Sequence, residues 1–309
     1  MTNKGDLEIS LQRLSPVATP WFLLAMGTCA AEVLFCGFRQ IVTLRVLTKE
    51  CGYWRLVMVT YAGAFANMLL PGGTGLDACR LVYLRHPTGV GYARLGGWVV
   101  LDKLITAVAI FFVALGTILL AYTLGLLPLS HIFLLTVALN LGGIVISFLL
   151  FAILRSWRVS SLVERIARRW HFIETLRRIV RLLELKNYDR RDLIRALAFA
   201  ILGRAVLVLG VGFLAYPIFG LEGACLSIAL SPIVMAANQL PVTPGNLGWT
   251  EAAAALVWQL FNANGGVVIF LLWRMLQMLF AVGGAPVVFW MQRRKKDQEG
   301  EGSSCQTSS

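Results

Sequence analysis

Side chains that carry chemistry are scarce in this sequence. His86, His131 and His171 stand alone, and Cys29, Cys36, Cys51, Cys79, Cys225 and Cys305 show neither CxxC nor Cys/His spacing. No motif therefore supports a metal site or a disulfide framework, and the cysteines read as small buried hydrophobes. No GxxxxGK[ST] run occurs, so a nucleotide is not expected to drive anything here. No nucleophile–base pair is visible, and neither a catalytic residue nor a cofactor is expected. Only 14% of the residues are charged.

Apolar residues are abundant. They make up 58% of the 309 residues, with a mean hydropathy of +0.73, beyond the range of soluble globular domains. A bilayer span needs roughly 20 such residues, and runs at 18–38, 97–122, 128–154, 193–216 and 266–291 meet that need. The segment before the first run carries charges of both signs and no cleavage site, so that run reads as a retained span. The expected fold is all-α: a single membrane domain over 18–291, preceded by a short segment 1–17 and followed by a disordered tail 292–309.

The net charge of +12 invites a nucleic-acid reading, but in a membrane protein the position of the basic residues decides orientation. Four lie in 39–55, three in 80–94, twelve in 155–195 and four in 293–296, while 123–127, 217–222 and 262–265 contain none. The first set marks the cytoplasmic side and the second the outside, with a cytoplasmic C-terminus. On this path two further apolar stretches, 56–71 and 223–241, run into Pro/Gly breaks at 71–75 and 241–245 and return as 76–90 and 247–261. They read as re-entrant hairpins of opposite sense, although ordinary interhelical loops of a bundle would also contain such glycines.

The hairpins share an order of residues. Asn67 precedes Pro71, Gly73, Gly75 and Asp77; Asn238 precedes Pro241, Pro244, Gly245, Gly248 and Glu251. Lys103 lies 36 residues after Asn67, and Arg274 36 after Asn238; Glu32 and Arg204 lie 35 and 34 residues before them. This is the pattern of an inverted repeat, 18–122 and 193–291, joined by a connecting segment over 128–192.

Broken backbone at membrane depth persists only beside protein or a wet cavity, and interrupted helices of inverted repeats hold substrate near the midplane. The second arms expose helix N-termini, with Thr74 and Thr243 as expected caps and Pro244 at the first helical position. Such termini attract anions, phosphate above all. Charges within spans are costly, so Glu32, Asp102, Lys103, Arg204 and Arg274 imply pairing or a polar path; an anionic headgroup is expected to meet Asn67, Arg80, Asn238 and the two helix N-termini, with Lys103, Arg204 and Arg274 balancing its phosphate. Asp102 and Lys103 lie close enough to a span end to snorkel. Glu32 and Arg204 either lock the repeats together or meet a headgroup. The segment 155–195, with twelve basic and five acidic residues, reads as an amphipathic helix on an anionic leaflet; calmodulin-like or nucleic-acid binding fits the same pattern less well.

"ANMLLPGGTGLDACRLVYL" with "LDKL", and "NQLPVTPGNLGWTEAA" with "LWRML", resemble the two signature regions of the lysylphosphatidylglycerol synthase membrane domain, a flippase-like family, over about 18–291. Asp102–Lys103 stands where that family usually has Glu-Arg, which loses bidentate phosphate geometry. The family usually carries one more span before 18–38, and its aminoacyl-transferase domain does not follow residue 291 here, so lysyl transfer is not expected of this chain alone. The resemblance implies a stand-alone protein of the bacterial cytoplasmic membrane that moves an anionic phospholipid or a polyprenyl-phosphate-linked sugar between leaflets. An alternative is a non-transporting scaffold presenting lipid to a glycosyltransferase or lipid-modifying enzyme; an intramembrane enzyme using Glu32, Asp77 or Glu251 is the third reading. No nucleic-acid partner is expected.

Overall fold

A computed structural model describes residues 19–70, 74–128, 130–155, 188–239, 243 and 246–293. The segment 1–17, most of the basic segment 155–195, the tail from residue 294 on and the break residues Pro71, Gly73, Pro241, Pro244 and Gly245 lie outside them. The described residues form α1 (Thr19–Leu44), α2 (Tyr53–Leu69), α3 (Gly75–Thr88), α4 (Tyr92–Thr123), α5 (His131–Arg155), α6 (Arg190–Ala237), α7 (Trp249–Leu260) and α8 (Gly266–Val282), the last continuing as helix to Arg293 after a turn. Among the described residues there is no strand. Four of these helices, α1, α4, α6 and the α8 stretch to Arg293, are long and apolar enough to cross a bilayer, and α5 adds an apolar helix of 25 residues. The chain is a multi-pass, all-helical membrane protein.

The helix limits follow from local chemistry. The Asp189 carboxylate accepts from the Arg191 N–H and caps α6, with Asp192 in its first turn. Gly89 ends α3 at φ 63°, its N–H donating to the Arg85 carbonyl. The connection expected at 217–222 is a tight one: two helical segments of α6 meet at Gly220, whose φ of 70° and ψ of −167° are not helical. Pro217 removes one donor just before this kink.

The two halves have the same layout. In each, a long helix (α1; α6 up to Gly220) leads into a shorter helix that stops at a break (α2; α6 beyond Gly220). A second short arm (α3; α7) and a closing helix (α4; α8) follow. The leading helices pack against one another antiparallel. The Trp21 ring lies tilted against Tyr216 at 4.4 Å, Thr28 lies at Gly210, Glu32 faces Arg204, and Phe38 stacks on Phe199 at 5.4 Å. The two leading helices therefore run in opposite directions. The halves also clasp crosswise. The Tyr61 hydroxyl of α2 donates to the Phe280 carbonyl of α8 at 3.0 Å, and the Thr117 hydroxyl of α4 reaches the Ala229 carbonyl of α6 at 3.3 Å.

Packing rather than water expulsion holds such helices together in lipid, so small residues sit where backbones approach. A Cβ on Gly75 would overlap the Ala66 carbonyl carbon and the Asn67 nitrogen, which fixes the start of α3 directly against the end of α2. A Cβ on Gly210 would overlap the Thr28 hydroxyl and lie 2.9 Å from Trp273. Three of the larger apolar clusters centre on Trp98 in the first half, on Leu101 between α4 and α6, and on Trp258, Phe270 and Trp273 in the second.

Candidate functional site

Each half carries an acid–base pair between its second hairpin arm and its closing helix. Asp77 of α3 pairs with Lys103 of α4, and Glu251 of α7 pairs with Arg274 of α8, Nε to Oε1 2.8 Å. These are the residues whose shared order marked the repeat in sequence. The two pairs differ in exposure: the Lys103 side chain is 57% exposed and that of Arg274 only 13%.

The asparagines also hold equivalent posts. Asn67 Oδ1 accepts from the Leu76 N–H at 2.8 Å, and Asn238 Oδ1 accepts from the Thr250 hydroxyl at 2.9 Å. Leu76 and Thr250 each immediately precede the acid of their own half. Each asparagine thus ties the end of a first arm to the start of the second. Asn67, not Thr74, satisfies the first turn of α3; Thr74 has helical φ/ψ of −80° and −11° and makes no side-chain cap. A residue already in the helical region cannot swing its hydroxyl back onto the N–H groups ahead of it.

The second arm of the other hairpin begins later than expected. α7 starts at Trp249 after Gly248 at φ 77°, not at Pro244, and Asn246 before it has φ 55°. The Thr243 hydroxyl donates to the Leu247 carbonyl at 2.8 Å, so it closes the loop instead of capping a helix. Left-handed backbone at 246 and 248 breaks helical progression, which moves the N-terminus five residues down the chain. The loop is held by Asn246 Nδ2 donating to the Asn238 carbonyl and Trp249 Nε1 donating to the Ala237 carbonyl, both at 2.9 Å.

Arg274 binds this loop as well as the acid. Its Nη2 donates to the Asn246 carbonyl at 2.7 Å and to the Thr250 hydroxyl at 2.8 Å. Glu251 Oε1 is at ion-pair distance from Arg274 Nε, but the geometry is not that of a hydrogen bond. Both Glu251 oxygens and Asn246 Oδ1 are buried acceptors with no hydrogen-bond donor. Unmet buried acceptors are rare and costly, and they suit a ligand that brings donors.

The first half has a feature the second lacks. Asp102 is 1% exposed, and Arg39 grips it with both nitrogens, Nε–Oδ1 2.7 Å and Nη2–Oδ2 2.9 Å, while Arg80 Nη1 lies 3.1 Å from Oδ2. Arg80 also reaches Asp77 at 3.7 Å and sits over the Trp98 ring at 5.7 Å. Asp102 therefore does not snorkel. It is the hub of a sealed charge cluster, and only its neighbour Lys103 turns outward. Arg39, grouped by sequence with the basic loop 39–55, belongs inside α1 and is 4% exposed; Arg80, expected to meet a ligand, is 2% exposed and closed in by its partners. Sequence reasoning missed Arg39 as a site-forming residue. The signal available was its place in a helix that stays apolar to Leu44.

Glu32 and Arg204, equivalent posts of the two halves, face each other across the α1–α6 seam at 3.8 Å, about a fifth exposed each. Arg204 Nε is buried and has no hydrogen-bond partner. Cys29, Cys36, Cys51 and Cys79 are buried, as their sequence context implied, whereas Cys225 is only half-buried and Cys305 lies outside the described residues; Cys36 Sγ accepts from Gln40 and Arg39. Among the described residues no three His, Cys, Asp or Glu side chains gather as a metal site would need.

The family model described as lysylphosphatidylglycerol synthase TM region matches residues 2–284. The chain belongs to this family. No curated protein and no solved structure matches it. Membership agrees with the two signature regions, which the structure places in the α2–α3 and α6–α7 hairpins with their paired closing helices. The family's Asp102–Lys103 position here divides its work: the acid seals the core and the base faces out.

Proposed function

We propose that this chain is a lipid translocase that carries an anionic phospholipid or a polyprenyl-phosphate-linked sugar between leaflets of the bacterial cytoplasmic membrane, without covalent chemistry. The supporting observation is the duplicated acid–base pair, Asp77–Lys103 and Glu251–Arg274, one on each of two oppositely running hairpins. A cation held by a carboxylate at the edge of a break can exchange that partner for a phosphate at little net cost, because one ion pair replaces another. Lys103, half in the open, is the first such cation, and Arg274, with its planar fork, the second. Glu251 and Asn246 offer acceptors to headgroup hydroxyls. Presenting the same elements in inverted order lets one lipid be met from either leaflet, as rocking of inverted repeats requires.

Purified protein in liposomes containing labelled phosphatidylglycerol or a polyprenyl-phosphate sugar should speed exchange between leaflets. Lys103→Ala should slow it about tenfold, a barrier increase near 1.4 kcal/mol, while leaving thermal stability within about 1 kcal/mol, as for exposed pairs. Binding without any acceleration, for every anionic lipid tested, would replace transport by a scaffold that hands lipid to a glycosyltransferase or lipid-modifying enzyme.

A further inference from the structure

When a phosphate takes the cation of an acid–base pair, the acid is left behind, and the two halves leave it in different surroundings. Asp77 keeps Arg80, three residues on along α3, at 3.7 Å, and Arg80 has a buried Nε with no hydrogen-bond partner. Glu251 has no such reserve. Three residues beyond it on α7 stands Ala254, 0% exposed in an apolar cluster. Among the described residues Arg274 is the one cation at ion-pair distance from Glu251.

The surrounding elements supply no substitute. From Leu221 to Val282, which takes in both arms of this hairpin, the break between them and α8, the charged residues are Glu222, Glu251 and Arg274. Glu222 and Cys225 lie just past the Gly220 kink, at the end of the first arm away from the break. Arg204, farther back on α6, is engaged with Glu32 of α1, Cys29 of α1 lies in the apolar cluster with Ala254, and Tyr61 of α2 donates to the Phe280 carbonyl of α8. The neutral donors of the loop are engaged as well. The Thr250 hydroxyl faces Asn238 Oδ1, Asn246 Nδ2 donates to the Asn238 carbonyl, and Trp249 Nε1 to the Ala237 carbonyl.

An ionised Glu251 that has lost Arg274 is thus a buried charge with neither cation nor donor, the costliest state open to a carboxylate. The positive end of α7, in whose first turn it sits, offsets only part of that cost. A proton removes it, and the resulting carboxyl becomes a donor in a site whose Asn246 Oδ1 lacks one. We infer that Glu251 couples lipid movement to protons: as Arg274 passes to the lipid phosphate, Glu251 takes up one proton, and it gives that proton back when the lipid leaves and the ion pair re-forms. This deepens the translocase reading and rests on it. In the uptake step a hydronium ion protonates the carboxylate and leaves water; no bond of the lipid is made or broken. A phosphodiester lipid carries one negative charge, so lipid and proton together move no net charge. Asp77, with Arg80 beside it, needs no proton.

The test uses the full chain in liposomes with labelled phosphatidylglycerol, a pH difference of one unit across the membrane, and the membrane potential held at zero by potassium and valinomycin. One proton per lipid predicts about a tenfold excess of label in the leaflet on the alkaline side, equivalent to 1.4 kcal/mol, with protein-free liposomes as the baseline. This steady-state ratio does not depend on how fast a variant works. Glu251→Gln should bring it to that baseline, whereas Asp77→Asn should keep it. Without any variant, a pH-sensitive dye should report about one proton taken up per phosphatidylglycerol bound by the wild-type protein in weakly buffered detergent. A baseline ratio in a wild-type protein that exchanges lipid, or an excess that Glu251→Gln leaves intact, would overturn the coupling while leaving translocation standing. Proton uptake on lipid binding that Glu251→Gln abolishes, in a wild-type protein that exchanges no lipid, would keep the proton site and end the translocase reading.

Discussion

The two halves of this molecule share one scaffold and fill the same place in opposite ways. Using the 171-residue separation of Asn67 and Asn238, Arg39 corresponds to Gly210 and Asp102 to Trp273; counting from the acids Asp77 and Glu251, Arg80 corresponds to Ala254. In the first half those posts hold a buried ionic triad. In the second, Trp273 lies against Gly210, and Ala254 is 0% exposed in the same apolar cluster. A large ring with two small neighbours thus occupies what two guanidinium groups and a carboxylate occupy opposite. The comparison teaches that the hairpin scaffold does not depend on the triad, since an apolar filling supports the same arrangement. What both halves retain is the asparagine tie and the acid–base pair at the second arm. Shared elements that survive such divergence are the ones assigned to lipid handling.

The sharpest way to break the comparison is to open the triad. Asp102→Ala leaves Arg39 and Arg80 buried without their carboxylate, and a loss of about 3–5 kcal/mol is expected, read as a collapse of the detergent-solubilised melting temperature. Converting the first half toward the second, Arg39→Gly/Arg80→Ala/Asp102→Trp, should recover most of that loss, because apolar replacements of whole buried ion clusters are often neutral or better. A triple variant no more stable than Asp102→Ala would show that the halves are not interchangeable at this place. Gly210→Ala is the next largest, at about 1–3 kcal/mol, from overpacking against Thr28 and Trp273, measured in the same melt. Smallest is Asn67→Ala, which frees the Leu76 N–H and should cost about 0.5–2 kcal/mol with loss of amide protection at the start of α3, whereas Thr74→Ala should leave that protection intact.

Much of this was legible in the sequence, and the reasons are specific. Apolar runs gave the long helices because span length is set by the bilayer, and the recurring order of Asn, acid and base gave the repeat because each pair is made within one half. Glu32 and Arg204 were marked as equivalent, and their pairing across the seam follows from antiparallel packing. Arg39 was hidden by its neighbours Arg45, Lys49 and Arg55, which made it look like part of a basic loop, and its partner lies 63 residues away. The start of α7 was misjudged because Thr243 and Pro244 are good helix-start chemistry. The left-handed Asn246 and Gly248 that override them depend on contacts with Asn238 and Ala237, which only the folded hairpin supplies. The connection at 217–222 was placed by its lack of Lys and Arg; that it is as sharp as one non-helical glycine, Gly220, was not legible there.

The central claim is that the two hairpins enter the membrane from opposite sides. With Cys225 and Cys305 replaced by Ser and the buried Cys29, Cys36, Cys51 and Cys79 kept as the unlabelled background, a cysteine introduced at Gly91, where α3 hands over to α4, or at Asn264, where α7 hands over to α8, can be labelled in intact cells by a membrane-impermeant maleimide. Position 264 should react from outside and position 91 only after the membrane is opened. Labelling of both positions from the same side would contradict the inverted arrangement and, with it, the reading of the two acid–base pairs as one lipid site met from two leaflets.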